Sequence, residues 1–475
     1  MYLLIKSSTR TVLPLVQTVR SLSTSLVRLS GEAMKKKQAQ STVVLSESLK
    51  TNPHQLVDTI HETAKMFGAA HRWGPKPEDT GVTRLALSDF DKGVKEWFIK
   101  EVKSLGCTVK IDEVGNIFAT YPGKNSRAPA TGIGSHLDTQ PTGGRYDGIF
   151  GVLSGLQVLR TLKQNNYVPN YPITLVDWCN EEGARFPMSI MASSVWAGIN
   201  TKEEVYALKD VFDNKTTVLD ELKRIGFQGP ERCSHDSNPL KCHFEMHIEQ
   251  GPVLENTHKK IGVLLGAQAY RWLYVTMKGM AQHTGSTPME YRRDALFASA
   301  KIMVGINSIA RKYGGVASVG KMSETPNVVN VIPGTVQYVI DIRNHTDEGL
   351  EKMYKEIMQL IKDSVKNEEG NGVAVEAKVE NPYPIPATYF NKDLIGIIED
   401  SAVDIVGPEY VHKMMSGAGH DSCATNTVIP TAMIFVPSKD GVSHNPREYT
   451  SPEELEAGFR VLLETILRYD QVRGD

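Results

Sequence analysis

At 475 residues the chain is too long for one ordinary hydrophobic core, so two domains or a few smaller ones are expected. An apolar fraction of 40% beside 23% charged residues is the balance of a globular protein and excludes a disordered or fibrous one. The 53 basic and 55 acidic residues leave a formal charge of -2, so no broad field draws nucleic acid or an anionic membrane, and a small-molecule substrate is the expected partner.

The chain opens on a segment without a single acidic residue from Met1 to Gly31. Lys6, Arg10, Arg20 and Arg28 are spread among Ser, Thr and scattered Leu and Val residues, which fits a mitochondrial transit peptide over residues 1–33 and a mature protein in the matrix. The alternative is a plain extension ahead of Met34 on a cytoplasmic protein. No apolar run approaches the roughly 20 residues that span a bilayer, so no membrane segment is expected. Five scattered cysteines without a C-x-x-C pair point to a reducing compartment, with thiols serving as small apolar side chains.

Folded structure is expected from about residue 45. Apolar spacing predicts helices over Pro53 to Phe67 and Asp89 to Leu105. The runs TVKIDEVGNIFATYPG and ATGIGSHLDT read as strands, Gly148 to Lys163 as a helix, and YPITLVDWCN as a buried strand. Strand, helix and strand in succession predict an α/β fold with a mostly parallel sheet, whose ligands gather beyond the carboxyl ends of the strands. Near Gly266 the character changes. The strand RWLYVTMKGM, a helix from Arg293 to Lys312, the strands VASVGKM and TVQYVIDIR, a helix from Asp347 to Lys366 and the strand VAVEAKV form a compact α+β unit, and the Pro-rich stretch Asn381 to Pro386 leads out of it. The predicted organisation is therefore a discontinuous α/β catalytic domain, residues 45–267 and 386–475, with an inserted α+β domain over 268–385. A long amphipathic helix from Pro452 to Tyr469 closes the chain.

The densest chemical signal is GSHLDTQPTGGRYDGIFG, which places His136, Asp138 and Asp147 in a Gly-rich segment directly after a strand. Imidazole and carboxylate suit zinc, and a carboxylate near a ligating histidine can accept its second ring nitrogen. Taken alone an H-x-D triplet is ordinarily a solvated loop. WCNEEGARF adds Glu181 and Glu182 at the end of a strand, where adjacent carboxylates are costly to hold unless a cation or a shared proton compensates. His247 in FEMHIEQGP and His444 in SKDGVSHNPRE complete a set in which several such groups recur at strand ends.

The ordered motifs GSHLDT, YDGIFG, NEEGARF, MHIEQGP, GMAQHTGSTPM, SGAGHDS and SHNPRE resemble the carbamoylase and ureidopropionase branch of the dinuclear zinc aminoacylase and carboxypeptidase superfamily, over roughly residues 50 to 470. Within that branch RWGPKPED, LRTLKQNNYVPNY, GAQAYRW, SGAGHDSCAT and PSKDGVSHN are most similar to the fungal β-alanine synthases. The resemblance implies two zinc ions, with Mn2+ or Co2+ also compatible with nitrogen and oxygen donors. His136 and His247 would take one ion, Glu182 and His444 the other, and Asp147 would bridge them. Asp138 would orient His136 and Glu181 would be the general base. The inserted domain would be a lid and dimerisation module of a homodimer, with His283, Asn330 and Arg343 reaching the partner subunit's active site. There His283 would stabilise the oxyanion and Arg343 would fork onto a substrate carboxylate. Gln250, Gly419 and His420 match further substrate-contacting positions. Gln282 and Thr284 depart from the small residues usual beside the lid histidine, which predicts a shifted His283 or an altered substrate preference.

The implied reaction is hydrolysis of an N-carbamoyl amino acid, foremost N-carbamoyl-β-alanine, to β-alanine, carbon dioxide and ammonia, a step of pyrimidine degradation. The same motifs would serve an N-carbamoyl-L-α-amino-acid hydrolase, an allantoate amidohydrolase or a dipeptidase. An inactive scaffold would be expected to have lost Glu181 or a ligand, and every such position carries a competent residue.

Overall fold

A computed structural model describes residues 44–366, 372–381 and 384–474. The expected leader and part of the Pro-rich exit segment lie outside these residues. Among the described residues no helix is long and apolar enough to cross a membrane.

The first half begins with α1 (Pro53–Met66) and α2 (Asp89–Ser104), whose Ser88 cap accepts the Asp91 N–H. Strands β1 (Thr108–Ile111), β2 (Ile117–Tyr121) and β3 (Ala130–His136) follow, then α3 (Ile149–Gln164), β4 (Ile173–Trp178) and β5 (Leu240–Ile248). All seven residues of β3 and all six of β4 are buried, as expected for strands covered on both faces. Strand β6 (Ile261–Ala267) is followed after the single residue Gln268 by β7 (Ala269–Lys278), which belongs to a different sheet.

The inserted unit continues with α4 (Ala295–Lys312), β8 (Val316–Thr325), β9 (Thr335–Asn344), α5 (Asp347–Ser364) and β10 (Glu376–Glu380). Its sheet has the order β8-β9-β7-β10, wholly antiparallel. β7 and β9 alternate between buried and more exposed residues, because α4 and α5 pack on one face only. Leu273, Val275, Ile302, Ile340, Ile342, Met353 and Ile357 centre a hydrophobic core separate from that of the rest of the chain.

The chain returns through β11 (Thr388–Tyr389), then α6 (Lys392–Val406), β12 (Val411–Ser416), the short α7 (Asp421–Thr425), β13 (Thr431–Val436) and α8 (Pro452–Val472). Ser451 and Glu454 form a reciprocal cap at the start of α8, an arrangement that contributes about 1 kcal/mol. The large sheet runs β11-β6-β13-β5-β3-β4-β2-β1, with β12 also paired to β6. α3, α6 and α8 pack against it, and α1 packs on α3 and α8. The fold is thus the expected discontinuous α/β domain carrying an inserted α+β domain.

One expectation needs correction. The sheet is parallel only through its centre, β13-β5-β3-β4, and between β6 and β12, whereas β1, β2 and β11 pair antiparallel. β1 and β2 are joined by the tight turn at Asp112 to Asn116, in which the Asp112 carboxylate accepts the Val114 and Asn116 N–H groups, and so short a connection permits only antiparallel pairing. The chain's two crossings between domains lie together: Thr388 pairs with Ala267, and Tyr270 and Ile385 exchange backbone hydrogen bonds of 3.0 and 2.9 Å.

Candidate active site

The parallel centre of the sheet presents its carboxyl ends on one side of the molecule. His136 ends β3, His247 lies one residue from the end of β5, and Glu181 and Glu182 follow β4. Asp147 precedes α3, and His444 lies on the loop between β13 and α8. Sequence separations of up to roughly 300 residues are closed by the strand order alone. His136, His247 and Asp147 are buried, and His444 is exposed at the rim.

Asp147 stands at the middle. Its Oδ1 lies 3.1 Å from His247 Nε2 and 3.8 Å from His136 Nε2, while its Oδ2 lies 3.2 Å from His444 Nε2, itself 3.4 Å from Glu182 Oε2. Of three groups of potential metal donors among the described residues, two, His136-Asp147-His247 and Asp147-Glu182-His444, share this one carboxylate, and the third is Glu245-His247-His420. The tautomers suit this use. His136 Nδ1 donates to the Asp138 carbonyl at 3.0 Å and His247 Nδ1 to the Ile248 carbonyl at 2.8 Å, which turns both Nε2 atoms toward Asp147, where His247 Nε2 also meets the Gly148 N–H at 3.1 Å. Three imidazoles and two carboxylates are the donor chemistry of a pair of divalent transition-metal ions. The residues present therefore fit such a pair, with Asp147 between the two ions.

Charge within the site follows from burial and from these contacts. Burial pushes the Asp147 carboxyl up, but its hydrogen bonds to His247 and His444 outweigh that and hold it well below the usual range. Burial pulls His136 down to about 4. The hydrogen bond to Asp147 lifts His444 to about 9. Glu181 belongs to none of the three donor groups. Burial, followed by the neighbouring carboxyls of Asp421, Glu182 and Asp147, raises its pKa well above the ordinary carboxylate value, and its Oε2 lies 3.5 Å from His136 Nε2. A carboxylate beside the donor set, free of it and tuned upward, is placed to accept a proton.

A model of the peptidase family M20/M25/M40 matches residues 132–468, which takes in every one of these side chains. The chain belongs to that family. An N-carbamoyl-L-amino-acid amidohydrolase of Rhizobium meliloti is 38% identical over 429 residues, covering 90% of this chain and 98% of that protein. An allantoate amidohydrolase of Bacillus subtilis is 32% identical over 405 residues, covering 82% and 93%. A crystal structure of an amidase of the hydantoinase/carbamoylase family from Burkholderia multivorans matches with a TM-score of 0.80 at 39% identity, covering 88% of this chain and 98% of that one. The protein is accordingly a metal-dependent amidohydrolase of the N-carbamoyl-amino-acid and allantoate amidohydrolase type, acting on non-peptide C–N bonds in linear amides.

Several expected residues stand differently from their predicted roles. The Asp138 carboxylate does not hold His136, whose ring nitrogen is taken by the Asp138 backbone carbonyl. The carboxylate instead accepts the N–H groups of Glu181 and Glu182, each at 3.3 Å, because the backbone after β3 turns its side chain toward the end of β4. His420 is matched to a substrate-contacting position. It is buried, bonded through Nε2 to Ser416 Oγ at 2.9 Å, and its ring packs 4.6 Å from that of His247, so it braces a ligand. Gly419 is exposed. Gln250 joins the centre directly, with Nε2 2.7 Å from Asp147 Oδ2 and 3.3 Å from His444 Nε2.

The inserted domain divides its three expected contributors. Arg343, expected in the partner's site, is tied to its own chain: Nη1 donates to the Gly417 carbonyl at 2.7 Å and Nη2 to Asp341 at 2.8 Å. The end of β9 lies over the loop after β12, where the guanidinium meets Gly417. Gly417 lines a cavity of about 740 Å3 together with Gln250, Gln268, His345, Ser443 and His444. His283 and Asn330 are exposed and bonded within the inserted domain: the His283 ring accepts the Gly285 and Ser286 N–H groups, and the Asn330 carbonyl accepts that of Thr284. Gln282 does not press on His283, for its amide is tied to the backbone of Tyr291 and Arg293.

Supporting residues escaped the sequence reading. Glu448 accepts the N–H groups of Tyr146 and Asp147 and the Ser443 hydroxyl, and Ser443 also donates to Asp147 Oδ2. Gln140 donates to Glu182 Oε2 at 2.7 Å. Glu245 accepts from Ser135 and Ser422 two residues before His247. Glu448 and Glu245 lie inside SHNPRE and FEMHIEQGP, where a second acid near a ligand histidine was the available signal. A glycine matters at position 148, where φ is 65° and a Cβ would stand 2.2 Å from the His136 ring.

Proposed function

We propose that this amidohydrolase cleaves N-carbamoyl amino acids, foremost N-carbamoyl-β-alanine, at the bond between the carbamoyl carbon and the amino nitrogen. The observation that carries this reading is the Arg343 guanidinium bonded to the carbonyl of Gly417, a residue that lines the cavity together with His444 and Gln250. It suits a substrate that carries a free carboxylate a short distance from its scissile amide.

Two zinc ions held by His136 and His247 on one side, Glu182 and His444 on the other and Asp147 between them would supply Lewis acidity and a water of lowered pKa. Glu181 takes the proton of the attacking water and returns it to the leaving amine nitrogen. Arg343 fixes the substrate carboxylate, and the amide of Gln250 orients the carbamoyl group. The products are the free amino acid and carbamate, which decays to carbon dioxide and ammonia. His283 and Asn330 act on the active site of the second subunit in a homodimer formed through the inserted domain, which their exposure and their lack of bonds to this chain's metal-site residues support. Residues 1–33 direct the chain to the mitochondrial matrix, a reading supported by the Arg- and Ser-rich composition and the absence of any acidic residue from Met1 to Gly31.

A second reading, N-carbamoyl-α-amino acids with apolar side chains, is favoured by the walls of the cavity, where Val253, Leu265, Met414, Met415 and Phe435 exceed the needs of an unbranched substrate. The zinc-loaded chain is therefore to be assayed for ammonia release from N-carbamoyl-β-alanine, N-carbamoyl-alanine, N-carbamoyl-leucine and allantoate. Preference for the first supports the proposal, and no turnover of it overturns the substrate assignment. Light scattering in solution tests the dimer, and imaging of fusions with and without residues 1–33 tests import.

A further inference from the structure

Beneath the metal-binding strand end lies a cluster of charged side chains shut off from solvent: Arg84, Asp91, Lys95 and Asp177, each no more than 1% exposed. Lys95 makes a short ion pair with Asp177 and lies 3.9 Å from Asp91. None of these residues touches the cavity. What they hold is the backbone between two site residues. Asp177 Oδ1 accepts the Leu137 N–H at 3.0 Å, and Arg84 Nε donates to the Leu137 carbonyl at 2.7 Å. Both polar groups of the residue between His136 and Asp138 are thus gripped by buried charges. Arg84 also grips the far side of Asp138, since its N–H donates to Thr139 Oγ1 and its carbonyl accepts the Thr139 N–H, each at 2.9 Å. Asp138 then holds the N–H groups of Glu181 and Glu182.

Stability alone does not account for such a cluster. Charges placed in a dry interior lose their hydration, and well-packed apolar side chains of similar volume commonly do as well or better. Arg84 Nη2 has no hydrogen-bond partner, a further cost. What charged groups provide here is direction: the planar fork of Arg84 reaches two carbonyls, those of Leu137 and Phe67, that an apolar side chain could not hold.

We propose that Arg84 and the Lys95–Asp177 pair are positioning residues of the metal centre, which set the separation between the ligand His136 and the base Glu181 through the backbone of residues 137 to 139. The inference rests on the proposed two-metal hydrolysis only for its activity readout; metal affinity tests it independently of substrate.

Three variants of the full chain decide it: Arg84→Lys, and the paired changes Lys95→Met with Asp177→Asn and Lys95→Met with Asp177→Leu. Both pairs remove the charges of Lys95 and Asp177 together, but only the Asn version keeps an acceptor for the Leu137 N–H. Chelator competition measures zinc affinity, and steady-state kinetics on the best carbamoyl substrate separate kcat from KM. Arg84→Lys and the Leu pair are expected to weaken zinc binding and lower kcat by about 10- to 100-fold with KM within about 2-fold, the usual scale for residues that orient metal ligands, while the Asn pair recovers to within about 3-fold. Wild-type metal affinity and kcat in a folded Arg84→Lys, or equal behaviour of the Asn and Leu pairs, overturns the proposal. Failure of Arg84→Lys to fold also overturns it, by assigning Arg84 to the fold rather than to the site. Failure of all substrates with these affinity changes intact would overturn the proposed reaction and leave the positioning role standing.

Discussion

Asp147 divides its two carboxylate oxygens between histidines far apart in the chain, Oδ1 toward His247 and Oδ2 toward His444, at 3.1 and 3.2 Å. Removing that carboxylate should therefore empty both metal positions, whereas removing His444 should weaken one. Elemental analysis after gel filtration is expected to find close to no metal in Asp147→Ala and about one ion per chain in His444→Ala. Equal stoichiometry in the two variants would refute a shared bridge.

Glu181 lies outside all three donor groups, so its amide analogue should keep its metals and lose its chemistry. For Glu181→Gln the expected kcat falls by about 10^2- to 10^4-fold with KM and metal content little altered. A variant that turns over at the wild-type rate would remove Glu181 from the proton path.

Arg343 meets two acceptors through a rigid fork, which a lysine ammonium cannot reproduce. Arg343→Lys and Arg343→Met should both raise KM for carboxylate substrates by about 10- to 100-fold, the worth of a charge-assisted pair. Inhibition by the free amino acid product should weaken in parallel, and unchanged inhibition would move the carboxylate elsewhere.

Gly148 combines a positive φ with a 2.2 Å approach to the His136 ring. Gly148→Ala must displace either the backbone or the ligand, and a loss of at least about 2 kcal/mol in denaturant unfolding together with weaker metal binding is expected.

His243 gives a pH dependence independent of the metals. It is fully buried between the Trp178 indole N–H and Ser422, and burial pulls its pKa from 6.5 to about 3. The folded state keeps it neutral while the unfolded chain protonates, so its contribution is present above pH 6.5 and is lost as pH falls toward 3. Relative to wild type, His243→Gln should gain about 2 kcal/mol between pH 7.5 and pH 5. A pH-independent difference would show that His243 does not drive the acid sensitivity.

The ligand set was legible in the sequence through the motifs that carry it, which lie at or beyond strand ends marked by short apolar runs breaking into Gly, Asn or Asp. His136, Asp147, Glu182, His247 and His444 all come together as read. The role of Asp138 was not legible, since which of its two acceptors meets the imidazole depends on backbone torsion after β3 rather than on residue type. The bond of Arg343 to Gly417 was not legible for a related reason: the strand pattern places Arg343 on a face of β9, but only the packing of the inserted domain decides what that face meets. The buried ions Lys95 and Arg84 sit in sequences that read as ordinary amphipathic surface, because a charged residue carries no local mark of being internal. The antiparallel margins of the sheet followed from connection lengths that a strand count did not weigh.

The two crossings between domains, Ala267 to Tyr270 and Ile385 to Thr388, are fastened to each other by backbone pairing. Two pins on one line leave a door a single way to swing. A twist or a slide would have to unzip them first, so the travel open to the inserted domain is rotation about that line, with Arg343 carried on the moving leaf and Gly417 fixed to the frame.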